Sequence, residues 1–133
     1  MIVIHRSKPL LSMLIPVYNV EAYLHECLES VVLQIMPGVE IIALDDCSTD
    51  SSHQLLQEFA ADSIVPITIL RHDYNRGLSA ARNTLLGNAR GDYVWFLVSG
   101  FWFLDSGFWI LMMHYTLVPL LNCSESPARI RLI

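Results

Sequence analysis

Ile41-Ile42-Ala43-Leu44-Asp45-Asp46-Cys47-Ser48-Thr49-Asp50 decides how this chain is read. The apolar run stops abruptly at two carboxylates, and Ser, Thr and Asp follow. That pattern predicts a buried parallel strand whose carboxyl end opens onto a polar edge and then caps a helix. Ligands of open α/β sheets sit outside the carboxyl ends of the strands, which makes Asp45 and Asp46 candidate ligand-binding residues. The competing reading is an acidic strand end that is simply solvated.

Working outward, residues 10–15 (LLSMLI) read as a first central strand closed by Pro16. Asn19 is the expected N-cap of an amphipathic helix. Its apolar residues Tyr23, Leu24, Cys27, Leu28, Val31 and Ile35 recur at three- and four-residue intervals, opposite Glu21, His25, Glu26 and Glu29. Pro37-Gly38 ends that helix, and residues 39–44 return as the second strand, completing a βαβ unit with parallel strands. Thr49 or Asp50 should cap the next helix, with Leu55, Leu56, Phe59 and Ala60 as its buried stripe and an end near Asp62. Residues 64–70 (IVPITIL) are strand-like, but Pro66 lacks a donor and restricts the first half to an edge or entrance. A polar loop, residues 71–77, leads to a small-residue helix over 78–89, and Gly91 separates it from a strand at 93–98 (YVWFLV). Alternating strands and helices predict an α/β sandwich.

With 133 residues, 53% of them hydrophobic, the chain can bury one sizeable core, so one domain or part of one is expected. A net charge of −5 with scattered basic residues argues against a nucleic-acid surface. Cys27, Cys47 and Cys123 are odd in number and lack CxxC spacing, which indicates neither a disulfide framework nor a zinc site and favours a reducing compartment. Residues 1–11 lack the apolar stretch and cleavage site of a signal peptide. Residues 99–121 are apolar but interrupted by Asp105, Gly107, His114 and Pro119, whereas a spanning helix needs about 18 uninterrupted apolar residues. That segment is compatible with core packing, peripheral membrane contact or a protein partner. Expected divisions are an extension at 1–9, a domain at 10–98, the divergent apolar segment at 99–121 and a polar tail at 122–133.

Five ordered blocks within residues 10–98 carry a resemblance. Leu11-Ser12-Met13-Leu14-Ile15-Pro16-Val17-Tyr18-Asn19, Tyr23-Leu24 with Cys27-Leu28-Glu29-Ser30-Val31, the Glu40 to Asp50 block, Asn75-Arg76-Gly77-Leu78-Ser79-Ala80-Ala81-Arg82-Asn83, and Gly91-Asp92-Tyr93-Val94-Trp95-Phe96-Leu97 together resemble the family 2 glycosyltransferases. The resemblance implies the GT-A fold, a Rossmann-like three-layer α/β/α sandwich with a mostly parallel sheet, incomplete here at its C-terminal side. It further implies a nucleotide-sugar ligand such as a UDP-sugar. Pro16, Val17 and Tyr18 are similar to the loop lining the nucleobase pocket, and Asp46 to the carboxylate that accepts from a base N–H. An ionised carboxylate is acceptor-only, and a charge-assisted bond of this kind is comparatively strong. Asp45 is expected to orient the loop or nucleoside, or to accept from the amides of residues 47–49. Asn75, Gly77 and Arg82 match the loop and helix beneath the sugar and diphosphate: Gly77 for a positive φ or close approach, Arg82 as a phosphate partner or an exposed helix arginine. Arg71 and Arg76 are secondary candidates, and His72 is expected to be a loop residue rather than a base.

The chain departs from that family at one place. Members present an acidic motif after the last strand that holds Mg²⁺ or Mn²⁺ on the diphosphate, and here Val98-Ser99-Gly100 stands there, with Asp105 further on as a weak metal candidate. Inversion also needs a base near the acceptor hydroxyl, and neither Asp105 nor Glu125 has a context that marks it, so no catalytic residue is assigned. The expectation is a family 2-like glycosyltransferase that moves a sugar from a nucleotide-sugar to a saccharide or lipid-linked acceptor, with this short form inactive. The alternative is a noncatalytic nucleotide or nucleotide-sugar binding domain, or an inactive fragment. A nucleotidyltransferase would carry a Gly-rich phosphate loop after the first strand, which Ile15-Pro16-Val17-Tyr18-Asn19 is not. The expected location is cytoplasmic, at most associated with the cytoplasmic face of a membrane.

Overall fold

A computed structural model describes residues 8–97 and 118–119. In chain order the elements are β1 (Leu11–Val17), α1 (Glu21–Gln34), β2 (Val39–Asp45), α2 (Ser52–Asp62), β3 (Ile67–Arg71), α3 (Leu78–Asn88), β4 (Tyr93–Phe96) and β5 (Val118–Pro119). The sheet order is β3-β2-β1-β4-β5, with β1 to β4 parallel and β5 antiparallel to β4. The chain steps outward from β1 through β2 to β3 and then returns to β4 on the other side of β1. The switch point of this α/β sheet therefore lies between β1 and β4.

Strand alternation sorts the core into two layers. Met13, Ile15 and Val17 of β1 with Ile41 and Ala43 of β2 pack against Leu24, Cys27, Leu28 and Val31 of α1 and Leu56 of α2. Leu14, Ile42, Leu44 and Val94 face the opposite way, onto Ala81 and Leu85 of α3. The result is the expected three-layer sandwich, with α1 and α2 on one face and α3 on the other. The buried residues of α1 recur at i, i+3, i+4 and i+7, and each fully buried leucine contributes about 2 kcal/mol. Ala81 is almost wholly buried, and its small side chain brings α3 close to the sheet. Tyr23, placed by its spacing on the buried stripe of α1, is 39% exposed instead.

Two prolines behave differently. Pro66 immediately precedes β3, as its missing donor requires. Pro16 does not end β1, which runs on to Val17. The even-numbered residues of β1 direct their backbone groups towards β4, as Tyr93 N to Leu10 O and Leu97 N to Leu14 O show. The last paired residue on that side is Leu14, opposite Phe96. The absent N–H of Pro16 thus falls beyond the paired part of the ladder.

At the amino edge of the sheet Ser12 donates to Glu40 Oε1 at 2.5 Å, and Arg90 donates from its amide to Oε1 at 2.8 Å and from Nε to Oε2 at 3.0 Å. Arg90 Nη2 stands 2.9 Å from Oε2. Gly91 N donates to Ser12 Oγ at 2.8 Å. A Cβ on Gly91 would meet Ser12 N at 2.7 Å and Leu11 C at 2.9 Å, so only glycine lets the turn before β4 lie this close to β1. Burial works to raise the Glu40 carboxyl, but the bonds from Ser12 and Arg90 outweigh it and hold the group below its ordinary range.

Candidate nucleotide-binding site

The parity that sorts the core continues past the strand ends. In the β2/β3 register Asp45 lies opposite Arg71, so Asp46 and His72 follow as the next pair on the other face of the sheet. The acidic pair is therefore divided. Asp45 faces the α1/α2 layer, where Oδ1 accepts from Ser48 N at 3.1 Å. Its Oδ2 lies 3.3 Å from His53 Nδ1 and 3.2 Å from Arg71 Nε. Neither approach has hydrogen-bond geometry, so this fully buried oxygen and His53 Nδ1 stay without a bonding partner. The Ser48 bond makes Asp45 the loop organiser that one of the sequence readings anticipated.

Asp46 faces the α3 layer. Its Oδ1 accepts from Arg76 N at 2.9 Å and His72 Nδ1 at 2.6 Å, and its Oδ2 accepts from Gly77 N at 2.8 Å. Burial again works to raise the carboxyl. The bonds from Arg76, His72 and Gly77 prevail and hold it below the ordinary carboxylate range, hence ionised at neutral pH. His72 is buried at 6% exposure, and its other nitrogen lies 2.8 Å from Thr84 Oγ1 on α3. It lies in the loop after β3, as expected, but is buried there. The signal for it was present in the sequence: one strand ends in Asp45-Asp46 and the next in Arg71-His72, so parallel register pairs acid with base twice, on alternate faces.

The other candidate residues gather at the same edge. Pro16 and Val17 are buried, Val17 with its side chain in the α1/α2 core, whereas Tyr18 is 45% exposed. Asp46 N donates to Val17 O at 2.9 Å, which ties the end of β1 to the acidic pair. Gly77 caps α3 at φ 88°, and nothing lies within 4 Å of a Cβ built on it. Glycine is there for its left-handed backbone rather than for a close approach. Asn75 is exposed and its side-chain oxygen accepts from Gly77 N at 3.1 Å. Arg82 is half-buried, its guanidinium carbon is 5.8 Å from the centre of the Phe96 ring, and its buried Nε has no hydrogen-bond partner.

The β1–α1 and β2–α2 loops hold one another. Asn19, at φ 49°, receives Thr49 N on its side-chain oxygen at 2.8 Å and donates its own amide to Ser48 Oγ at 3.1 Å. Val20 N donates to Ser52 Oγ, Glu21 N to Asp50 Oδ2, and Ser51 N to Glu21 Oε2. Asn19 is thus not the cap of α1. Val20 holds that position, and residues from the other loop satisfy the exposed amides. Asp50 does serve α2, accepting from Ser52 N at 2.9 Å, although Ser51 occupies the cap position.

The model for glycosyl transferase family 2 matches residues 12–105, and the chain belongs to that family. Its fold is the GT-A fold of those enzymes. It is 43% identical over 89 residues to glycosyltransferase GlyA of Streptococcus pneumoniae serotype 4, covering 67% of this chain and 12% of that protein. It is 40% identical over 93 residues to the putative teichuronic acid biosynthesis glycosyltransferase TuaG of Bacillus subtilis, covering 69% of this chain and 36% of the relative. Among solved structures it resembles S. aureus TarS 1-349 in complex with UDP-GlcNAc, with 31% identity and a TM-score of 0.60 over 65% of this chain and 25% of that one. It also resembles the mannosyltransferase PcManGT of Pyrobaculum calidifontis in complex with GDP-Man and Mn²⁺, with 27% identity and a TM-score of 0.61 over 65% and 26% of the two chains. The chain therefore spans well under half the length of these relatives.

A divalent metal is expected for such a family. Among the described residues no group of three or more His, Cys, Asp or Glu side chains could hold one. Val98, Ser99, Gly100 and Asp105 lie outside the described residues, as do the boundaries expected around 99–121 apart from β5. No described helix is long and apolar enough to cross a membrane.

Proposed function

We propose that this chain forms the nucleotide-binding part of a glycosyltransferase whose donor is a nucleotide-sugar, such as a UDP-sugar, and that Asp46 reads the base. The observation that carries this is the state of the Asp46 carboxylate. It is buried at the carboxyl edge of a parallel sheet, ionised, and bonded by three donors, whereas a carboxylate offers about four acceptor positions. One position on Oδ2 is left. A base bearing a ring N–H, as uracil and guanine do, can fill it; adenine and cytosine carry no hydrogen at the corresponding ring nitrogen. The TarS complexes with UDP-GlcNAc and UDP and the PcManGT complex with GDP-Man support that choice of bases. Tyr18 supplies an exposed ring beside the end of β1 for stacking on the base, while Asn75 and Gly77 shape the loop on its other side. Arg82, with an unused donor above Phe96, offers positive charge to the diphosphate.

Transfer itself would join the donor sugar to a saccharide or lipid-linked hydroxyl and release the nucleoside diphosphate. The described residues do not form a metal site, so no step is assigned to one. Calorimetry with UDP tests the binding role. Asp46→Asn should weaken UDP by about 1.5–3 kcal/mol, the scale of a hydrogen bond to a charged group, while circular dichroism stays that of the parent. Equal UDP affinity in the two proteins removes Asp46 from base recognition.

A further inference from the structure

His72 is the one imidazole buried among the described residues, and it links three elements. One nitrogen faces Asp46 after β2, the other faces Thr84 on α3, and the ring itself follows β3. Because the ionised Asp46 carboxylate can only accept, the hydrogen of this contact sits on Nδ1. The other nitrogen, Nε2, shares a hydrogen bond with the Thr84 hydroxyl, which can donate to it or accept from it. The remaining two donors to Asp46 are the Arg76 and Gly77 amides at the start of the same helix. Thr84 therefore anchors the ring to the helix whose entrance also grips the carboxylate.

We propose that His72 is a positioning residue for nucleotide recognition: by occupying Oδ1 together with the Arg76 amide, it leaves the free acceptor position of Asp46 on Oδ2 alone. Without that contact Oδ1 also has an acceptor position open beside the Arg76 amide, so a base N–H meets two open positions instead of one. The surrounding charges do not substitute for it. Asp45 and Arg71 belong to the opposite face, Asp73 and the Arg76 side chain are on an exposed stretch, and Arg82 lies over Phe96. The effect on nucleotide affinity rests on the base-reading role proposed above; the effect on Asp46 itself does not.

The two are separated by measuring both in the 133-residue chain. Carbon-13 NMR follows titration of the Asp46 carboxyl without nucleotide, and calorimetry follows UDP. His72→Leu should raise the Asp46 midpoint and weaken UDP about tenfold, the loss of one hydrogen bond to a charged group. His72→Asn places an amide N–H where Nδ1 stood and should restore most of both. Thr84→Val should move both in the same direction as His72→Leu, by less. A purely structural histidine would lower stability without shifting the Asp46 midpoint and without rescue by asparagine. An unchanged midpoint in His72→Leu overturns the proposal, as does unchanged UDP affinity where the parent binds UDP. Should His72→Leu fail to fold, Thr84→Val and His72→Asn decide by the same midpoint. A shifted midpoint in a chain that binds no UDP sustains the role of His72 in holding Asp46 and rejects the base-reading role.

Discussion

Two carboxylates hold opposite ends of the same sheet, and they are used differently. Glu40, at the amino edge, has each oxygen occupied twice, by Ser12 and the Arg90 amide on one side and by the Arg90 guanidinium on the other. Asp46, at the carboxyl edge, has three donors and one acceptor position to spare. The first fastens β2 to β1 and to the turn before β4. The second fastens loops, and it does so incompletely. A saturated carboxylate is a fastening; one left short of a donor at a strand's carboxyl end can receive a ligand.

The largest way to break this contrast is at the amino edge. Gly91→Ala must push its Cβ into the backbone of Leu11 and Ser12, and a loss of about 3 kcal/mol is expected. An unfolding free energy from urea titration lowered by less than about 1 kcal/mol would mean that the turn before β4 moves freely. Glu40→Gln should come next, costing about 2 kcal/mol through the Arg90 and Ser12 bonds, with UDP affinity, measured on the folded fraction, unchanged. A parallel fall in UDP affinity would show the two edges to be coupled.

Acid should expose both carboxylates. Their folded-state values lie below the ordinary range, so the unfolded chain takes up these protons first as the pH falls. Their stabilisation is complete above about pH 5 and is lost as the pH drops through the folded-state values. Thermal melts from pH 6 to pH 3 should therefore be less steep in Glu40→Gln and in Asp46→Asn than in the parent. A parent slope in either variant removes that carboxylate from the acid response.

The smallest effect concerns Cys47, a non-glycine residue at φ 58° between the acidic pair and Ser48. A left-handed backbone costs about 1–2 kcal/mol for a residue with a Cβ, and glycine returns about 0.5–1 kcal/mol of chain entropy to the unfolded state. Cys47→Gly should stabilise by roughly 0.5 kcal/mol net of these two terms. Destabilisation would show that the Cys47 thiol, 3.7 Å from Asp73 O, matters more than the backbone strain.

Much of the fold was legible because its code is local. Apolar runs and i, i+3, i+4 spacing located the elements within a few residues, and Pro66 marked the start of β3. What was less legible depended on partners far along the chain. Pro16 reads as a terminator until the short reach of β4 is known. Asn19 reads as a cap until Asp50 and Ser52 arrive from the next loop. His72 is read correctly as part of a polar loop, but its partner emerges only when the β2/β3 register puts it beside Asp46. Glu40, Ser12 and Arg90 had no signal, since a bond spanning 50 residues between Arg90 and Glu40 leaves no periodicity. The preference for Asp46 over Asp45 came from the family resemblance; what the pleat adds is that the two side chains are sent to opposite faces.

The mutual holding of the β1–α1 and β2–α2 loops has a consequence for dynamics. The amides of Asn19, Val20 and Glu21 are bonded to side chains of residues 48–52, and those of Thr49 and Ser51 to Asn19 and Glu21. Neither loop can open while the other stays shut, so these amides should exchange with solvent deuterium as one cooperative unit. A ligand seated against Tyr18 alone would then slow exchange at Thr49 and Ser51, residues it need not touch.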